Sequence, residues 1–255
     1  MLKIENLTAG YEDGDAVHSV SFTAPKEKLT VILGPNGCGK STLLKCLCGI
    51  HTPKSGSVMM DGEDLLSLPR KDLARRVSYL SQSRAVPDIT VERMVLHGRF
   101  PYLSYPRRYR KEDIAAAAAA MEQMGLSHLA RTPLANLSGG QRQKVYIAMA
   151  LAQDTPLILM DEPTTYLDIR HQLHLMQEVE GLKTQGKTAI MVLHDLPHAF
   201  AAADKIVVMD QGRLIFDGTP AETLTSGCIE KVFGVKLVAV ETERGMRYYL
   251  EGESL

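Results

Sequence analysis

The amino-acid sequence predicts an α/β protein with a mainly parallel sheet, and three observations lead to this class. Five short apolar runs rich in β-branched residues are spread along its 255 residues. Each run ends in a polar residue, and a helical pattern follows. The runs are hydrophobic at successive positions, which is typical of parallel strands covered by helices on both faces. They are KLTVILG (28–34), RVSYLSQ (76–82), PLILMDE (156–162), TAIMVLHD (188–195) and KIVVMDQG (205–212).

The region between about 83 and 155 departs from this pattern. It contains no convincing strand, and residues 115–120 are six consecutive alanines, the strongest helix former. We therefore expect a helical lobe of residues 83–155 inserted into a core formed by 1–82 and 156–227. The remaining residues, 228–255, are too few for another domain, so we expect a single domain that ends in a short tail.

Composition indicates an ordinary globular protein. Hydrophobic residues make up 45% of the chain and the formal net charge is -1, so neither nucleic acid nor anionic lipid is an expected partner. No stretch approaches the roughly 18 apolar residues of a membrane span, and the start, MLKIENLTAGYEDG, does not resemble an export signal.

The cysteines show neither CxxC spacing nor a disulfide-dense pattern, which fits a reducing cytosol. They are Cys38, Cys46, Cys48 and Cys228. Cys46 and Cys48 lie two apart on a predicted helix and point in different directions. We expect them to be packed in the interior rather than to bind a metal together.

The first apolar run leads into a phosphate-binding loop. GPNGCGKS (34–41) fits the pattern G-x-x-x-x-G-K-[ST], and a helix-like segment follows it. Glycines let backbone N–H groups converge on phosphate oxygens, and the helix N-terminus adds positive potential. In this pattern Lys40 reaches the β- and γ-phosphates and the Ser41 hydroxyl binds Mg²⁺. The predicted nucleotide-binding residues here are Gly34, Pro35, Asn36, Gly37, Cys38, Gly39, Lys40, Ser41 and Thr42.

Cys38 within this loop allows two interpretations. It is either a small residue that the loop tolerates, or a redox-sensitive thiol whose pKa is lowered by the helix start.

Polar residues at the ends of three later runs complete a predicted catalytic set with Lys40. Ligands bind beyond the carboxyl ends of parallel strands, where Asp161 and Glu162 follow LILM. Phosphoanhydride hydrolysis needs a divalent ion and a group that activates water, so we expect Asp161 to hold Mg²⁺ and Glu162 to be the general base. His194 is expected to position the water and bind the γ-phosphate, and Gln82 to bind the metal or the water. The alternatives are an ordinary acidic strand end and a histidine without a role in the chemistry.

LSGGQRQ (137–143) indicates a second anion site. Ser138, Gly139 and Gly140 open another predicted helix, whose N-terminus favours phosphate. A helix cap alone would explain Ser138. The site lies on the predicted helical lobe, away from the strand ends, so one nucleotide is not expected to touch both sites within one chain. A symmetric pair of chains resolves this, with each nucleotide held between the loop of one chain and the SGG helix of the other.

The ordered set of GPNGCGKST, Gln82, LSGGQRQ, LILMDEP, TYLD and His194 resembles the ATP-binding subunits of ABC transporters over essentially the whole chain. The resemblance implies a P-loop NTPase core of the ABC type, with an N-terminal antiparallel β lobe and an inserted α-helical lobe. It implies an ATPase that uses ATP and Mg²⁺, with Ser41, Gln82 and Asp161 at the metal. It also implies Tyr11 stacked on adenine, although Tyr11 alone could equally be a core aromatic.

The same resemblance implies partners and a location. Gln82 would face the membrane subunits, and Asp168 would lie between two protomers. Ser138, Gly139, Gly140 and Gln141 would contact the ATP of a second copy of the chain. The implied partners are transmembrane permease subunits and, indirectly, an extracytoplasmic substrate-binding protein, without nucleic acid. The implied location is peripheral, on the cytoplasmic face of the cell membrane.

Finer likeness suggests the cargo. Five stretches look like the ATPases of importers for iron siderophores, haem and cobalamin, and the GRFP segment, expected where the helical lobe meets the membrane subunit, discriminates best. The stretches are TVERMVLHGRFPYLS (90–104), LDIRHQL (167–173), VLHDLPHAFAAAD (192–204), DGTPAETLT (217–225) and VFGVK (232–236).

Two residues, Tyr166 and Pro197, depart from those usual at their positions in the family. Separately, the cluster RRYRK (107–111) is either a solvated face or a contact for anionic headgroups.

Two other functions remain open from the sequence. One is an ABC importer for a different substrate, and the other is a non-transport ABC ATPase acting in iron–sulfur assembly or on DNA or ribosomes. The 83–136 insertion is too short for the coiled coils of chromosome-associated members, and the chain holds one cassette where translation factors hold two.

Overall fold

The computed structural model describes residues 1–82, 86–165, 167–243 and 245–251, so Tyr166 lies outside the described residues. The described part forms twelve strands in three sheets. The strands are β1 (Leu2–Tyr11), β2 (Gly14–Ala24), β3 (Leu29–Leu33), β4 (Ser55–Met60), β5 (Glu63–Asp64), β6 (Val77–Leu80), β7 (Leu157–Asp161), β8 (Thr188–Val192), β9 (Lys205–Asp210), β10 (Arg213–Gly218), β11 (Lys236–Thr242) and β12 (Gly245–Glu251).

The same residues contain nine α-helices and four short 3₁₀ turns. The helices are α1 (Lys40–Leu47), α2 (Arg70–Arg76), α3 (Val91–His97), α4 (Lys111–Gln123), α5 (Gly139–Ala152), α6 (Ile169–Thr184), α7 (Leu196–Ala202), α8 (Pro220–Thr225) and α9 (Cys228–Phe233). Of the helices in the described part, none is long and apolar enough to cross a bilayer.

The central sheet confirms the predicted fold class. All five apolar runs form strands in it, in the order β10-β9-β3-β8-β7-β6. The five predicted strands are parallel to their neighbours, and only the edge strand β10 is antiparallel, to β9. The sequence did not predict β10, because its exposed and part-buried residues alternate and form no continuous apolar run.

Both faces of the central sheet are covered, as continuous hydrophobicity predicts. Val31 and Leu33 of β3 belong to an apolar cluster with Val179 of α6 and Phe200 of α7. Ile32, between them, points the other way and packs in a second cluster. That cluster contains α1 and the N-terminal strands, which form an antiparallel sheet in the order β2-β1-β4-β5. The antiparallel β lobe implied by the resemblance is therefore present.

The inserted helical lobe is also present. The described residues between β6 and β7 contain α3, α4 and α5 and only one isolated bridge, between Thr90 and Pro133. The alanine run lies on α4, where Ala117 and Ala120 are buried and belong to the same apolar cluster as Val145 of α5. Small side chains let these helices approach closely.

The segment 98–103, which we call the lobe joint, fastens the helices of this lobe to one another. Arg99 Nε lies 3.1 Å from Asp113 Oδ1 of α4, and Arg99 Nη1 donates to the carbonyl oxygen of Ala152 at 2.9 Å. The Arg99 and Asp113 side chains are only 12% and 6% exposed. The Tyr102 ring lies 3.9 Å from the Arg99 guanidinium carbon. A Cβ at Gly98 would collide with the carbonyl oxygen of Met149, so only glycine lets the segment run this close to α5.

The lobe joint is also bound to helix α2 of the core. Lys71 Nζ donates to the carbonyl oxygen of Leu103 at 2.7 Å, and Arg75 Nε donates to that of Pro101 at 3.0 Å. The sequence predicted that GRFP faces another subunit. The structure shows that Arg99 serves the joint, while Phe100 is about half exposed with Arg107 stacked on its ring.

The C-terminal residues pack against the core. Cys228, Ile229 and Leu237 belong to the same cluster as β3, and the ring of Tyr248 on β12 lies 5.4 Å from that of Phe200 on α7. The strands β11 and β12 form an antiparallel hairpin. The short predicted tail thus has its own secondary structure.

Candidate active site

Four neighbouring strands bring the predicted catalytic residues to one edge of the central sheet. The strands β3, β8, β7 and β6 are adjacent in the sheet and parallel. The phosphate-binding loop follows β3, His194 follows β8, and Glu162 follows β7. Gln82 follows β6. Residues distant in sequence therefore meet beyond the carboxyl ends of the strands, as expected for ligand sites in parallel sheets.

The phosphate-binding loop turns directly into α1. Gly39 caps this helix with φ of +96°, a left-handed conformation that suits glycine. A Cβ at Gly39 would overlap the carbonyl oxygen of Ala16, so the position also needs glycine for space. The free N–H groups at the start of α1 are thereby directed towards the loop, which favours an anion there.

Lys40 is almost wholly enclosed by the loop. Its side chain donates from Nζ to the carbonyl oxygens of Gly34 at 2.7 Å and Pro35 at 2.8 Å, and the residue is 5% exposed. These bonds hold the ammonium group among the loop residues and keep the positive charge at the centre of the cradle.

Asp161 is a buried carboxylate that accepts two hydroxyl hydrogen bonds. Ser41 donates to Oδ1 and Tyr79 donates to Oδ2, both at 3.1 Å. Burial raises the pKa of Asp161, and these two hydrogen bonds offset part of that rise. An oxygen of the loop and a carboxylate of β7 are thus in contact, and hydroxyl and carboxylate oxygens are the ligands that Mg²⁺ takes in proteins.

Glu162 lies at the centre of the remaining polar cluster. Its carboxylate accepts from the Gln82 amide on one oxygen and pairs with His194 Nε2 on the other. Thr165 Oγ1 adds a longer bond of 3.4 Å to the oxygen that Gln82 contacts. Glu162 has φ of +49°, an uncommon value for a residue other than glycine, and its N–H donates to the carbonyl oxygen of Val192. The backbone thus turns sharply to present this carboxylate.

Most of these residues line one cavity of about 320 Å³, although Asp161 and Thr165 do not. Its volume is of the size that small-molecule ligands occupy. The predicted residues that line it combine N–H donors, a cation, hydroxyls and a carboxylate. The lining residues are Ala16, Asn36, Gly37, Gly39, Lys40, Ser41, Thr42, Gln82, Glu162 and His194.

Residues 138–141, all of them described, do not line this cavity. Ser138 caps α5 by accepting from Gln141 N at 3.2 Å, and Gln141 Oε1 accepts from Ser138 N at 3.0 Å. This reciprocal arrangement is a capping box. Ser138 and Gly139 remain exposed, so the helix start is accessible from outside the chain.

Tyr11 and Asp168 also lie outside the cavity lining. Tyr11 is 50% exposed, which excludes the core-aromatic alternative, and its ring lies 4.7 Å from that of His51. Asp168 is exposed and caps α6 by accepting from His171 N at 2.9 Å. This backbone bond, together with a second one from His171 Nδ1, lowers the pKa of Asp168.

The four cysteines are free thiols. Cys38 is 4% exposed, and burial raises its pKa despite the nearby Lys40. The structure therefore favours the interpretation that Cys38 is a small residue tolerated by the loop. Burial raises the pKa of Cys46 to about 12 and that of Cys48 to about 11, so both thiols stay protonated at neutral pH.

Three contacts of the site were not predicted from the sequence. Tyr79 donates to Asp161, Thr165 donates to Glu162, and Gln143 Nε2 donates to the carbonyl oxygen of Pro163 at 2.7 Å. A signal for Tyr79 existed, since it lies on β6 three residues before Gln82. Gln143 gave no such signal, because it is twenty residues from Pro163 and on a different lobe.

The chain is similar to known proteins in both sequence and structure. A family model described as "ABC transporter" matches residues 17–165. The ferric enterobactin transport ATP-binding protein FepC of Escherichia coli (strain K12) is 41% identical over 94% of this chain and 89% of its own length. The iron(3+)-hydroxamate import ATP-binding protein FhuC of Bacillus subtilis (strain 168) is 41% identical over 95% of this chain and 91% of its own.

A solved structure is similar across the whole fold. It is an inward-facing structure described as an ABC transporter of the metal-chelate type. It has a TM-score of 0.84 and 28% identity, and covers 98% of this chain and 96% of that one.

Proposed function

This chain belongs to the ABC transporter family as one of its ATP-binding, ATP-hydrolysing subunits, and from that premise we propose that it energises the import of a metal chelate, most specifically an iron–siderophore complex. Haem and cobalamin are the related cargoes. The observation that carries the proposal is the 41% identity with FepC over 94% of this chain, which includes the helical lobe as well as the ATPase motifs.

The cavity supports specific roles for its residues. The loop 34–42 with the start of α1 would hold the ATP phosphates, with Lys40 at the β- and γ-phosphates. Tyr11, exposed at the end of β1, would stack on the adenine. We further propose the division into a core of 1–82 and 156–227, a helical lobe of 83–155 and a tail of 228–255.

The residues present fit Mg²⁺. Ser41 and Asp161 offer a hydroxyl and a buried carboxylate in contact, and Gln82 adds an amide at the mouth of the cavity. Among the described residues there is no group of three or more His, Cys, Asp or Glu side chains able to hold a metal. That fits Mg²⁺, which binds through one or two carboxylates together with waters and substrate phosphates. When bound, it supplies neutralisation of phosphate charge.

Glu162 would act as the general base. Glu162 lines the same cavity as Lys40 and Ser41, so its carboxylate can accept a proton from water attacking the γ-phosphate. Gln82, His194 and Thr165 orient this carboxylate through the hydrogen bonds described above. His194 and Gln82 are exposed enough to contact the γ-phosphate or the water as well.

The active unit would be a homodimer that encloses two ATP molecules. Residues 138–141 do not line the cavity of their own chain but present an exposed helix N-terminus, which favours a phosphate delivered by another chain. Asp168, exposed at the start of α6, would lie between the protomers. ATP bound across the interface would close the dimer, and hydrolysis would reopen it.

The chain would be a peripheral subunit on the cytoplasmic membrane face. Its partners would be permease subunits and, through them, an extracytoplasmic substrate-binding protein. Phe100, a half-exposed residue of the lobe joint with Arg107 on its ring, supplies an apolar surface for a permease contact. The rest of RRYRK is largely exposed, which supports a solvated face.

Affinity purification followed by uptake measurement tests this function. The tagged chain should co-purify a multi-spanning membrane protein, and vesicles containing the complex should accumulate a radiolabelled iron–siderophore only with ATP. The Glu162→Gln variant should assemble equally well and transport nothing. If the vesicles take up only haem or only cobalamin, that compound is the cargo instead of the iron–siderophore. Recovery with iron–sulfur assembly proteins, without any membrane protein, would refute the transport function.

A further inference from the structure

We propose that Gln143 is a positioning residue that carries the state of one ATP site of the dimer to the general base of the other. The inference rests on the proposed ATP-sandwich dimer. It concerns a side chain of α5 that does not line the cavity.

Gln143 fixes the turn that holds Glu162. Its Nε2 donates to the carbonyl oxygen of Pro163 at 2.7 Å in a part-buried contact. Pro163 has no N–H, so this carbonyl is its only backbone hydrogen-bonding group. On the other side of the turn, Glu162 N donates to Val192 O in the core sheet. The turn at Glu162 is therefore held by the core at one residue and by the helical lobe at the next.

The start of α5 also lies near the segment that follows this turn. A Cβ at Gly140 would lie 3.6 Å from Leu167 and 3.8 Å from His171, which is ordinary contact distance. His171 in turn contacts Asp168 through both its backbone N–H and Nδ1. Gly140 has no Cβ, so these distances show that the start of α5 runs close to Leu167 and His171, while Gln143 makes the hydrogen bond to the turn.

Hydrogen bonds make the start of α5 rigid. Ser138 and Gln141 exchange two hydrogen bonds, and Arg142 Nη1 donates to the carbonyl oxygen of Leu137 at 3.0 Å. A force applied at Ser138 thus moves the first turns of α5 together. Since Gln143 lies in those turns, it transmits the movement to Pro163 and hence to Glu162.

In the sandwich dimer these contacts join different sites. Ser138 of one chain would bind the ATP held by the partner, whereas Glu162 of the same chain acts on the ATP held in its own loop. Gln143 then places the base at one site according to whether the other site holds ATP. This is a coupling between two sites, and its signature is cooperativity in ATP hydrolysis.

The test compares Gln143→Met with Gln123→Met in the full chain. Methionine has a similar length and shape but cannot donate to Pro163. Gln123 is the matched control, because it also bonds from the helical lobe to the core, donating to Glu178 on α6 at 3.1 Å, away from Glu162. ATPase rates are measured against ATP concentration, and the affinity of the loop is measured separately with a fluorescent ATP analogue.

We expect wild type and Gln123→Met to show Hill coefficients between about 1.5 and 2, the upper bound being the two sites. Gln143→Met should show a Hill coefficient of about 1 and a kcat lowered by about tenfold, since the base is misplaced. Its affinity for the analogue should stay within about twofold of wild type. A Gln143→Met enzyme with the wild-type Hill coefficient overturns the inference, and so does a wild-type coefficient of about 1.

A replacement variant and a dimerisation assay accompany these measurements. If Gln143→Met unfolds, Gln143→Lys, which retains a donor, takes its place and must keep the cooperativity; a coefficient of about 1 for that variant overturns the inference. ATP-driven dimerisation of Glu162→Gln is measured alongside. Loss of that dimer would refute the proposed function itself, whereas a normal dimer with unchanged cooperativity in Gln143→Met refutes only the role of Gln143.

Discussion

Replacing Arg99 by methionine should destabilise the chain strongly, because the lobe joint depends on this residue. Arg99 is 12% exposed and pairs with Asp113, which is 6% exposed, so the variant leaves a buried carboxylate without its partner. Such losses cost about 3 to 5 kcal/mol, and the lower end applies because Arg110 N still donates to Asp113 at 2.9 Å. The unmet carbonyl of Ala152 adds about 1 kcal/mol.

The free energy of unfolding should therefore fall by about 4 kcal/mol. For a chain of this size that lowers Tm by roughly 8 to 16 °C. Circular dichroism at pH 7 measures the thermal transition, and urea denaturation gives the free energy. Arg108→Met, which changes an exposed arginine, is the control and should stay within about 0.5 kcal/mol of wild type.

The pH dependence follows from Asp113. Burial by itself would raise the pKa of this carboxyl, but the Arg110 backbone bond and the Arg99 side chain outweigh burial and lower it below the ordinary 3.8. A depressed pKa in the folded state means stability that is present above pH 3.8 and lost as pH falls through the folded value. The difference in the free energy of unfolding between Arg99→Met and wild type should thus become smaller below pH 3.8.

A double variant separates the charge from the packing. Arg99→Met with Asp113→Asn removes both charges and should recover about half of the loss, because no unpaired carboxylate remains buried. A loss of less than about 1 kcal/mol in Arg99→Met alone would refute the view that this ion pair holds the lobe joint.

Three further predictions concern the candidate active site. Asp161→Asn should abolish ATPase activity yet raise Tm in Mg²⁺-free buffer at pH 8. Burial raises the pKa of Asp161, so the stability of the wild-type chain falls as pH rises from 3.8 through the folded pKa. The increase in Tm of Asp161→Asn over wild type should therefore shrink towards pH 4. Lys40→Met should weaken ATP binding on the order of 100-fold by calorimetry, since a charged hydrogen-bond donor is lost; unchanged affinity would contradict its role. Cys38→Ser should keep ATPase activity within about twofold, and iodoacetamide should label Cys38 of the native chain far more slowly than after unfolding in urea; equal labelling rates would contradict its burial.

The sequence predicted the central sheet and the strand-end residues well, for a physical reason. Strands buried on both faces must be apolar at every position, so runs such as LILM before Asp161 can be recognised in the amino-acid sequence. Residues at the ends of neighbouring parallel strands then have to meet, which is why Glu162 and His194 lie together in the structure. The edge strand β10 was not predicted because one of its faces is exposed.

The side-chain contacts that join helices within the lobe, and the lobe to the core, could not be predicted in this way. Arg99 and Asp113 are fourteen residues apart, and Gln143 and Pro163 twenty, with no periodic pattern linking the members of either pair. Such hydrogen bonds depend on how whole helices pack, which sequence periodicity does not determine. GRFP was recognised as distinctive, but the structure was needed to show that Arg99 holds the lobe together.

In the proposed dimer, each ATP site is completed by a second copy of the chain. The mass of the Glu162→Gln variant in solution, measured by light scattering with and without saturating MgATP, tests this most directly. We predict a single chain without ATP and twice that mass with ATP, because binding is retained while hydrolysis is blocked. Adding Ser138→Arg to the same chain should abolish the dimer without weakening nucleotide binding in the loop. A Glu162→Gln chain that stays monomeric in MgATP, or a dimer that forms equally well with Ser138→Arg, would contradict this claim.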